Sequence, residues 1–388
     1  MTPAVAKATS TNIIIDDDEI ETLYQQKKAC DDTSQYNITE EKKDSEYVEQ
    51  DYTKDAKIYE YGAAANPKMK PIPISVYPPE LHNTIGSNTH VHSFDTSKLL
   101  DIGYPCTSPN LMASFIRINA NDCIETNVTN ATSQAFYVIR GKGYTVSNEH
   151  GRMDWNKGDL VVVPVTKKKM IHRNCNDTAN ENEDGSVALY WIHDEPLMKY
   201  LGVEASQRKF EPTIFRRESM LEHVQEIIHA SAGKDGEEKN RLGVLLGNAK
   251  FDQTKTLTHV LWSLLNSIPG NTIQRPHRHN SVALDLCVYA PTTAEGKSPV
   301  YTLMGPDIDS SGNIIDPIRC DWVSGGVFIT PPGWWHSHHN ESENDVAWVL
   351  PIQDAGLYTH QRTLDIRFVD DELKNHAKGI IRGSTVTR

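Results

Sequence analysis

Gln274-Arg275-Pro276-His277-Arg278-His279-Asn280-Ser281-Val282-Ala283-Leu284-Asp285 is the stretch that decides the fold of this chain. Its histidines, His277 and His279, are two positions apart, and on a β-strand that spacing points both imidazoles to one face. His336 follows a short apolar run and a Gly/Pro turn, which can return it beside them. Three neutral imidazoles with open coordination positions suit Fe(II), Mn, Ni, Cu or Zn. The stretch predicts a metal site in a β-protein, and chance clustering among the 16 histidines is the alternative.

The composition indicates a globular chain without a nucleic-acid or membrane partner. At 388 residues it can hold one large domain or two ordinary ones. The 52 acidic and 39 basic residues give a net charge of −13, which argues against a nucleic-acid surface. No stretch approaches the roughly 18 apolar residues of a membrane helix, and the N-terminus lacks the apolar core of a signal peptide. We therefore expect a cytoplasmic protein.

The cysteines form neither a disulfide framework nor a zinc motif. They are widely scattered, and no two of them make a C-x-x-C pair. In a cytoplasmic chain this pattern predicts ordinary reduced thiols. The six residues are Cys30, Cys106, Cys123, Cys175, Cys287 and Cys320.

The texture of the sequence divides the chain into four segments. Residues 1–65 are acidic and weakly apolar, and they predict a partly disordered N-terminal arm. Residues 66–212 hold short β-type runs between Gly, Asn and Asp, and they predict a first barrel. Residues 213–246 predict a helical linker, because apolar side chains recur at helical spacing between Glu218 and Ala232. Residues 247–388 return to the β texture and contain the metal-site histidines.

The two β-rich halves show the same order of features. In each half a strand pair is followed by a Gly-containing turn, an apolar strand and a histidine near its end, which is His172 in the first half and His336 in the second. Short strands at regular spacing are typical of a small sandwich or barrel. We therefore predict an all-β chain of two barrels of one kind, with a few short helices.

These motifs resemble those of the cupin superfamily of jelly-roll β-barrels. The similar features are the run Pro276-His277-Arg278-His279 and, after an apolar strand, Thr330-Pro331, Trp335-His336, His338 and Asn340. In detail the chain is similar, over roughly residues 70–370, to bicupins of the gentisate 1,2-dioxygenase group. The resemblance implies two cupin barrels and an Fe(II) site on His277, His279 and His336, with another divalent metal as the alternative.

The chain lacks the usual cupin carboxylate ligand and departs from the dioxygenase group's pattern at two places. The usual carboxylate ligand falls on Ala283 or Leu284, neither of which can bind a metal, and this fits a three-histidine site. The resemblance places iron in the first barrel, whereas Val128–Ala135 supplies no histidine, so we expect a metal-free first barrel. Asp285 stands where the family has an arginine for the substrate carboxylate. Strand parity counted from His277 points Asp285 into the cavity, where it would favour a cationic or hydroxyl-rich substrate, unless a neighbour satisfies it structurally.

Further residues are expected to line the second barrel. The adjacent pair Trp334 and Trp335 is a stacking platform or a part of the core, and His338 is a hydrogen-bond partner or an acid/base. We assign catalytic roles to Asp285, His338 and Gln274, and substrate contacts to Asp285, Trp334, Trp335, Gln353 and Arg362.

The leading functional hypothesis is a mononuclear non-heme Fe(II) dioxygenase. It would use O2 to cleave a C–C bond of a hydroxylated aromatic or related small polar substrate. One alternative is a metal-dependent cupin lyase or isomerase that acts without O2 on a small carboxylate, including cationic sulfonium or betaine compounds. A second alternative is a non-catalytic, ligand-binding bicupin. We expect a homodimer or homotetramer.

Overall fold

The computed structural model describes residues 51–176, 184–231 and 242–377. It divides the chain into two compact units, residues 1–65 and residues 66–388. Both predicted barrels lie within the second unit.

The described part of the first unit, residues 51–65, is exposed to solvent throughout. Its helix α1 (Tyr61–Ala64) begins after Glu60, whose carboxylate accepts hydrogen bonds from the backbone N–H groups of Gly62 and Ala63. The rest of the predicted acidic arm lies outside the described residues.

The first barrel is built from two antiparallel sheets. The strands up to residue 215 are β1 (Val76–Tyr77), β2 (His90–Ser93), β3 (Met112–Ile118), β4 (Cys123–Thr126), β5 (Ser133–Arg140), β6 (Lys142–Ser147), β7 (Gly151–Asn156), β8 (Leu160–Pro164), β9 (Met170–Asn174), β10 (Val187–His193) and β11 (Thr213–Phe215). A six-stranded sheet has the order β11-β8-β5-β10-β3-β2, and a four-stranded sheet has the order β4-β9-β6-β7.

The second barrel repeats this plan. Its strands are β12 (Leu242–Leu245), β13 (Trp262–Ile268), β14 (Thr272–His279), β15 (Ala283–Tyr289), β16 (Val300–Gly305), β17 (Ile318–Asp321), β18 (Val327–Thr330), β19 (Trp335–Asn340), β20 (Ala347–Gln353) and β21 (Ile366–Phe368). The six-stranded sheet has the order β1-β18-β15-β20-β13-β12, and the five-stranded sheet has the order β17-β16-β19-β14-β21. The predicted all-β architecture of two barrels of one kind is confirmed.

Strand sequences differ between the two kinds of sheet because their environments differ. In the first barrel's six-stranded sheet, β8 is buried at all five positions. In the four-stranded sheet, the residues of β6 alternate between buried and more exposed. A strand covered on both faces reads as a continuous apolar run, whereas a strand with one solvated face alternates.

Three hydrophobic clusters explain why the six-stranded sheets are covered on both faces. One cluster lies inside each barrel and includes Trp155 in the first and Trp322 in the second. The third cluster contains side chains of both six-stranded sheets, such as Tyr190 of β10 and Leu284 of β15. Burying one large apolar side chain stabilises the fold by roughly 1.5–3 kcal/mol, so this third cluster joins the two barrels strongly.

Chain segments near the predicted domain boundaries connect the barrels. β1 precedes the first barrel in sequence but pairs with β18 of the second. Within the predicted linker, β11 extends the first barrel and β12 extends the second.

Few helices accompany the strands, as predicted. The helices of the second unit are α2 (Glu80–Asn83), α3 (Ser97–Leu100), α4 (Glu195–Leu201), α5 (Arg217–Ser231), α6 (Ala355–Gln361) and α7 (Val369–Ala377). The linker helix predicted between Glu218 and Ala232 is confirmed as α5. Among the described residues, no helix combines the length and the apolar character needed to cross a membrane.

Candidate metal centre

The three predicted metal ligands lie on neighbouring strands of the five-stranded sheet. His277 and His279 end β14, and His336 lies near the start of β19. His277 is the register partner of His336, and the register shifts between Gln274 and His277. Pro276 lies within that shift and has no N–H to donate to the ladder, so the bulge accommodates it. The prediction that both histidines of the opening stretch share a strand is confirmed.

Four imidazoles meet at this point, and we call them the histidine cluster. The ring centroids of His277 and His336 are 4.0 Å apart, and those of His279 and His336 are 4.9 Å apart. His338 lies 5.7 Å from His336 and 5.8 Å from His277 by the same measure. One ring nitrogen each of His277, His336 and His338 lies within 4.8 Å of the others. By ring-nitrogen distances this group contains His338 and not the predicted ligand His279, although the ring centroid of His279 lies closer to that of His336.

Backbone carbonyls fix the protonation of two of these rings. The Nδ1 of His279 lies 2.8 Å from the Ser281 carbonyl oxygen, and the Nδ1 of His336 lies 3.1 Å from that of Trp334. Because a carbonyl oxygen can only accept, each Nδ1 carries a proton, and in the neutral form of each ring Nε2 keeps the lone pair. Burial lowers the pKa of His279 to about 4, so its ring is neutral at pH 7. A neutral ring oriented through Nδ1 is the form of histidine that binds metals.

His338 has a different kind of partner. Its Nδ1 lies 2.8 Å from the Thr302 hydroxyl, and that hydroxyl also accepts a hydrogen bond of 2.8 Å from the indole N–H of Trp322. All three side chains are buried. His338 therefore lies in the histidine cluster with its Nδ1 directed to a side-chain hydroxyl and not to a backbone carbonyl.

Asp285 lies inside the second barrel. Leu284 and Leu286 belong to the cluster between the barrels, whereas Cys287 belongs to the interior cluster. Since side chains alternate along β15, Asp285 shares the interior face with Cys287. The predicted orientation agrees with the structure, but the strand parity used to predict it was wrong. β14 ends at His279, and β15 begins at Ala283 in a different sheet.

Burial and a neighbouring hydroxyl determine the electrostatics of Asp285. The carboxyl is 5% exposed and accepts a 2.6 Å hydrogen bond from the Thr330 hydroxyl. Burial raises its pKa to about 7, with the Thr330 hydrogen bond acting in the opposite direction. At neutral pH the group is therefore poised between its charged and neutral forms.

Two predicted glutamines are buried near the cluster. Gln274 is the register partner of His338, and its amide exchanges hydrogen bonds with that of Asn266. Gln353 accepts a 2.7 Å hydrogen bond from the hydroxyl of Ser281, whose carbonyl orients His279. Gln274 is thus held by a neighbouring side chain, and Gln353 supports a predicted ligand indirectly.

The remaining predicted contacts do not all face the cavity. Trp334 is partly buried against the interior cluster. Trp335 alternates with His336 on β19 and lies under the guanidinium of Arg278, 5.0 Å from its ring centroid, so it faces away from the histidine cluster. Arg362 is exposed, ends α6 in the left-handed conformation and donates to the carbonyl of His360. Trp335 and Arg362, which the sequence predicted to line the second barrel, therefore do not face the histidine cluster.

The first barrel corrects the predicted correspondence between His172 and His336. His172 and His338 each bind a threonine hydroxyl through Nδ1, and each of those hydroxyls accepts from a tryptophan. His172 therefore matches His338, and Met170, two residues earlier on β9, occupies the place of His336. The error arose because the sequence pattern placed a histidine near the strand without fixing its register.

The residues present fit a divalent metal in the second barrel. His279 and His336 direct Nδ1 to carbonyl oxygens, which leaves Nε2 of the neutral ring as the metal-binding atom, and the ring of His277 lies beside that of His336. In the first barrel, Met170 replaces one of these rings, and Thr126 pairs with it as His277 pairs with His336. The donor chemistry therefore favours a metal in the second barrel and not in the first.

Thr302 and Trp322 were not predicted as site residues. Neither is adjacent in sequence to a histidine, so only the fold brings them to His338. The available signal was the shared order of Thr145, Trp155 and His172 in one half and Thr302, Trp322 and His338 in the other.

Comparison with known proteins gives structural matches but no sequence matches. No family model matches the chain, and no curated protein matches it. Solved structures match the chain at low sequence identity.

A salicylate 1,2-dioxygenase from Pseudaminobacter salicylatoxidans is 12% identical, with 78% of this chain and 90% of that chain covered, at a TM-score of 0.56. The same enzyme with gentisate is 11% identical, with 93% and 95% covered, at a TM-score of 0.57. A variant of it with gentisate is 11% identical, with 92% and 97% covered, at a TM-score of 0.57. At this identity the likeness shows the fold, which is the bicupin fold.

Proposed function

We propose that this chain is a mononuclear non-heme Fe(II) dioxygenase that cleaves a C–C bond of a hydroxylated aromatic or related small polar substrate. The observation that carries the proposal is the pair of carbonyl-oriented imidazoles, His279 and His336, with His277 beside them in the second barrel. The bicupin fold that the chain shares with a salicylate dioxygenase supports it. We also propose that the first barrel is metal-free and structural, and that the protein forms a homodimer or homotetramer.

His277, His279 and His336 would hold the metal. Three neutral ligands leave open coordination positions, and Fe(II) there would supply redox chemistry with O2 and polarise a chelating substrate. The protein orients the ligands through carbonyls and excludes water, since His279 and His336 are 4% and 3% exposed. The Ser281 carbonyl and the Gln353–Ser281 hydrogen bond position His279.

Two further groups could act on the substrate. The ring of His338 lies in the cluster, where it can exchange a hydrogen bond with a bound oxygen. The Asp285 carboxyl lies on the interior face of the barrel, and burial raises its pKa to about 7, so it can accept or release a proton near neutral pH. We propose that these two residues contact the substrate and that Gln274 and Trp334 shape its surroundings.

Metal analysis tests the assignment of the ligands. The purified protein is expected to hold a single metal ion, and His277→Ala or His336→Ala should lose it while keeping the folded circular dichroism spectrum, because the barrel cores carry most of the stability. His360→Ala, at an exposed histidine, is the matched control and should retain the metal. Retention of a metal by the His336→Ala variant would contradict the proposed site.

The interior carboxyl of Asp285 favours a second candidate function. A lyase or isomerase acting on a small cationic carboxylate would use the metal as a Lewis acid and Asp285 against the cation. Oxygen-electrode screening of catechols, gentisate, aminophenols and betaines separates the two. Oxygen uptake with product formation supports the dioxygenase, and turnover of a betaine without oxygen supports the lyase.

A further inference from the structure

A hydrogen-bonded row runs from the core of the second barrel to the histidine cluster. The indole N–H of Trp322 donates to the Thr302 hydroxyl at 2.8 Å, and that hydroxyl lies 2.8 Å from the Nδ1 of His338. Trp322 is 1% exposed, Thr302 is 0% exposed and His338 is 6% exposed. Water is therefore largely excluded from the row.

We infer that Trp322 and Thr302 are positioning residues that hold His338 as the Nε2–H tautomer, which makes His338 a hydrogen-bond donor toward the cluster and removes it from the metal ligands. The inference deepens the proposed function, because it names which of four neighbouring histidines would bind the metal and which would face the substrate.

The direction of the hydrogen bonds follows from the number of hydrogens. An indole N–H can only donate, so the Thr302 oxygen must accept from Trp322. The hydroxyl has one hydrogen, and in the described part of the chain its other partner is the Nδ1 of His338. If that Nδ1 carried a proton, the Thr302 hydrogen would lack an acceptor in a buried place, which is unfavourable. The Thr302 hydroxyl therefore donates to Nδ1, and the proton of the neutral ring resides on Nε2.

Two other rings of the cluster, those of His279 and His336, have the opposite arrangement. His279 and His336 direct Nδ1 to carbonyl oxygens, which can only accept, so their Nε2 atoms keep lone pairs. The histidines thus divide by the chemistry of their Nδ1 partners. This division selects His279 over His338 as a ligand, although the nitrogen atoms of His338 are the closer ones.

The first barrel contains an independent copy of the row. Trp155 donates to the Thr145 hydroxyl at 3.0 Å, and that hydroxyl lies 2.8 Å from the Nδ1 of His172. The Nε2 of His172 lies 2.9 Å from the hydroxyl of Thr126. In the first barrel the row therefore continues from Nε2 of His172 to the Thr126 hydroxyl. The position that matches Thr126 in the second barrel is His277. The Nε2–H of His338 is therefore directed toward the histidine cluster.

Nitrogen NMR of the metal-free protein tests the inference directly. In protein labelled with 15N-histidine, long-range 1H–15N correlations show which nitrogen of each ring is protonated. The signals of His338 and His172 are assigned by their disappearance in His338→Gln and His172→Gln. Both rings are expected to be protonated at Nε2. A His338 ring protonated at Nδ1 would overturn the inference, and this measurement needs no variant of the row to fold.

Variants of Thr302 test whether the row causes the tautomer. Thr302→Val removes the hydroxyl, so the ring of His338 should populate both tautomers and should lose its Nε2 proton when Zn²⁺ is added. Thr302→Ser should restore the wild-type pattern, in which Zn²⁺ leaves that proton in place. Thr145→Val, the matched control, should change the signals of His172 alone. An unchanged His338 in Thr302→Val would overturn the role of Thr302.

These outcomes are separable from those of the proposed function. The tautomer is measured without iron, oxygen or substrate, so a chain that consumes no oxygen can still show the Nε2–H ring. Conversely, a dioxygenase whose His338 is protonated at Nδ1 would keep the proposed function and lose this inference.

Discussion

At the scale of single residues, the hydrogen-bond partner of each buried polar group decides its chemistry. Two cluster histidines face carbonyls, one faces a hydroxyl, and Asp285 faces the single hydroxyl of Thr330. A carboxylate that accepts several hydrogen bonds keeps a low pKa, whereas one with a single neutral donor in an apolar interior does not. The raised pKa of Asp285 is therefore a consequence of sparse solvation inside the barrel.

Replacement of Asp285 by asparagine should stabilise the metal-free protein in a pH-dependent way. The folded-state pKa of about 7 lies above the ordinary value of 3.8. Stability from such a group is fully present below the unfolded-state pKa and is lost as pH rises through the folded-state pKa. The stability advantage of Asp285→Asn over wild type, measured as free energy of unfolding, should therefore be about 2–3 kcal/mol larger at about pH 8 than at about pH 5. Urea denaturation at both pH values measures this gain.

Asp252→Asn is the matched control for that experiment. The side chain of Asp252 is 78% exposed, so its removal should leave the difference between the two pH values unchanged. If Asp285→Asn gave the same gain at both pH values, the carboxyl would not titrate in this range in the folded protein.

At the scale of strands and helices, close approach explains one glycine of the first barrel. A Cβ on Gly143 of β6 would lie 2.1 Å from the Arg173 carbonyl oxygen and 2.4 Å from the Trp155 ring. Gly143→Ala should therefore separate β6 from its neighbours and reduce the free energy of unfolding by about 3 kcal/mol, as overpacking of a core does. Urea denaturation measures it, with Gly103→Ala as the control, because no atom lies within 4 Å of that Cβ. Equal stability of the two variants would contradict the packing argument.

Element prediction from the sequence succeeded where the pattern is local. The strand with His277 and His279 and the linker helix follow from the spacing of side chains over a few residues. Register did not follow, because the match of His172 to His338 depends on how β9 and β19 pair with distant strands. The row through Thr302 and Trp322 was missed for the same reason, since tertiary contacts between strands create it.

At the scale of the whole molecule, the two barrels share one hydrophobic cluster and cross-barrel hydrogen bonds. The Tyr190 hydroxyl donates to the Leu284 carbonyl at 3.3 Å, and the Ser133 hydroxyl donates to the Thr258 hydroxyl at 2.9 Å. β1 adds a strand to the second barrel from a segment that precedes the first. Because these contacts are lost if either barrel opens, we expect the barrels to unfold together.

Truncation of Leu284 tests this coupling. Leu284 is 0% exposed and lies in the cluster between the barrels, so Leu284→Ala should lower the free energy of unfolding by about 2–5 kcal/mol. Hydrogen exchange followed by mass spectrometry reports on each barrel separately through peptides that cover β3 and β16. Both peptides should lose protection, although the change lies in β15, because loss of the shared cluster exposes the sheets of both barrels. Val323→Ala, at a residue 47% exposed, should leave both unchanged. Loss of protection in β16 alone would mean that the second barrel opens while the first stays folded, and the structural role proposed for the first barrel would then fail.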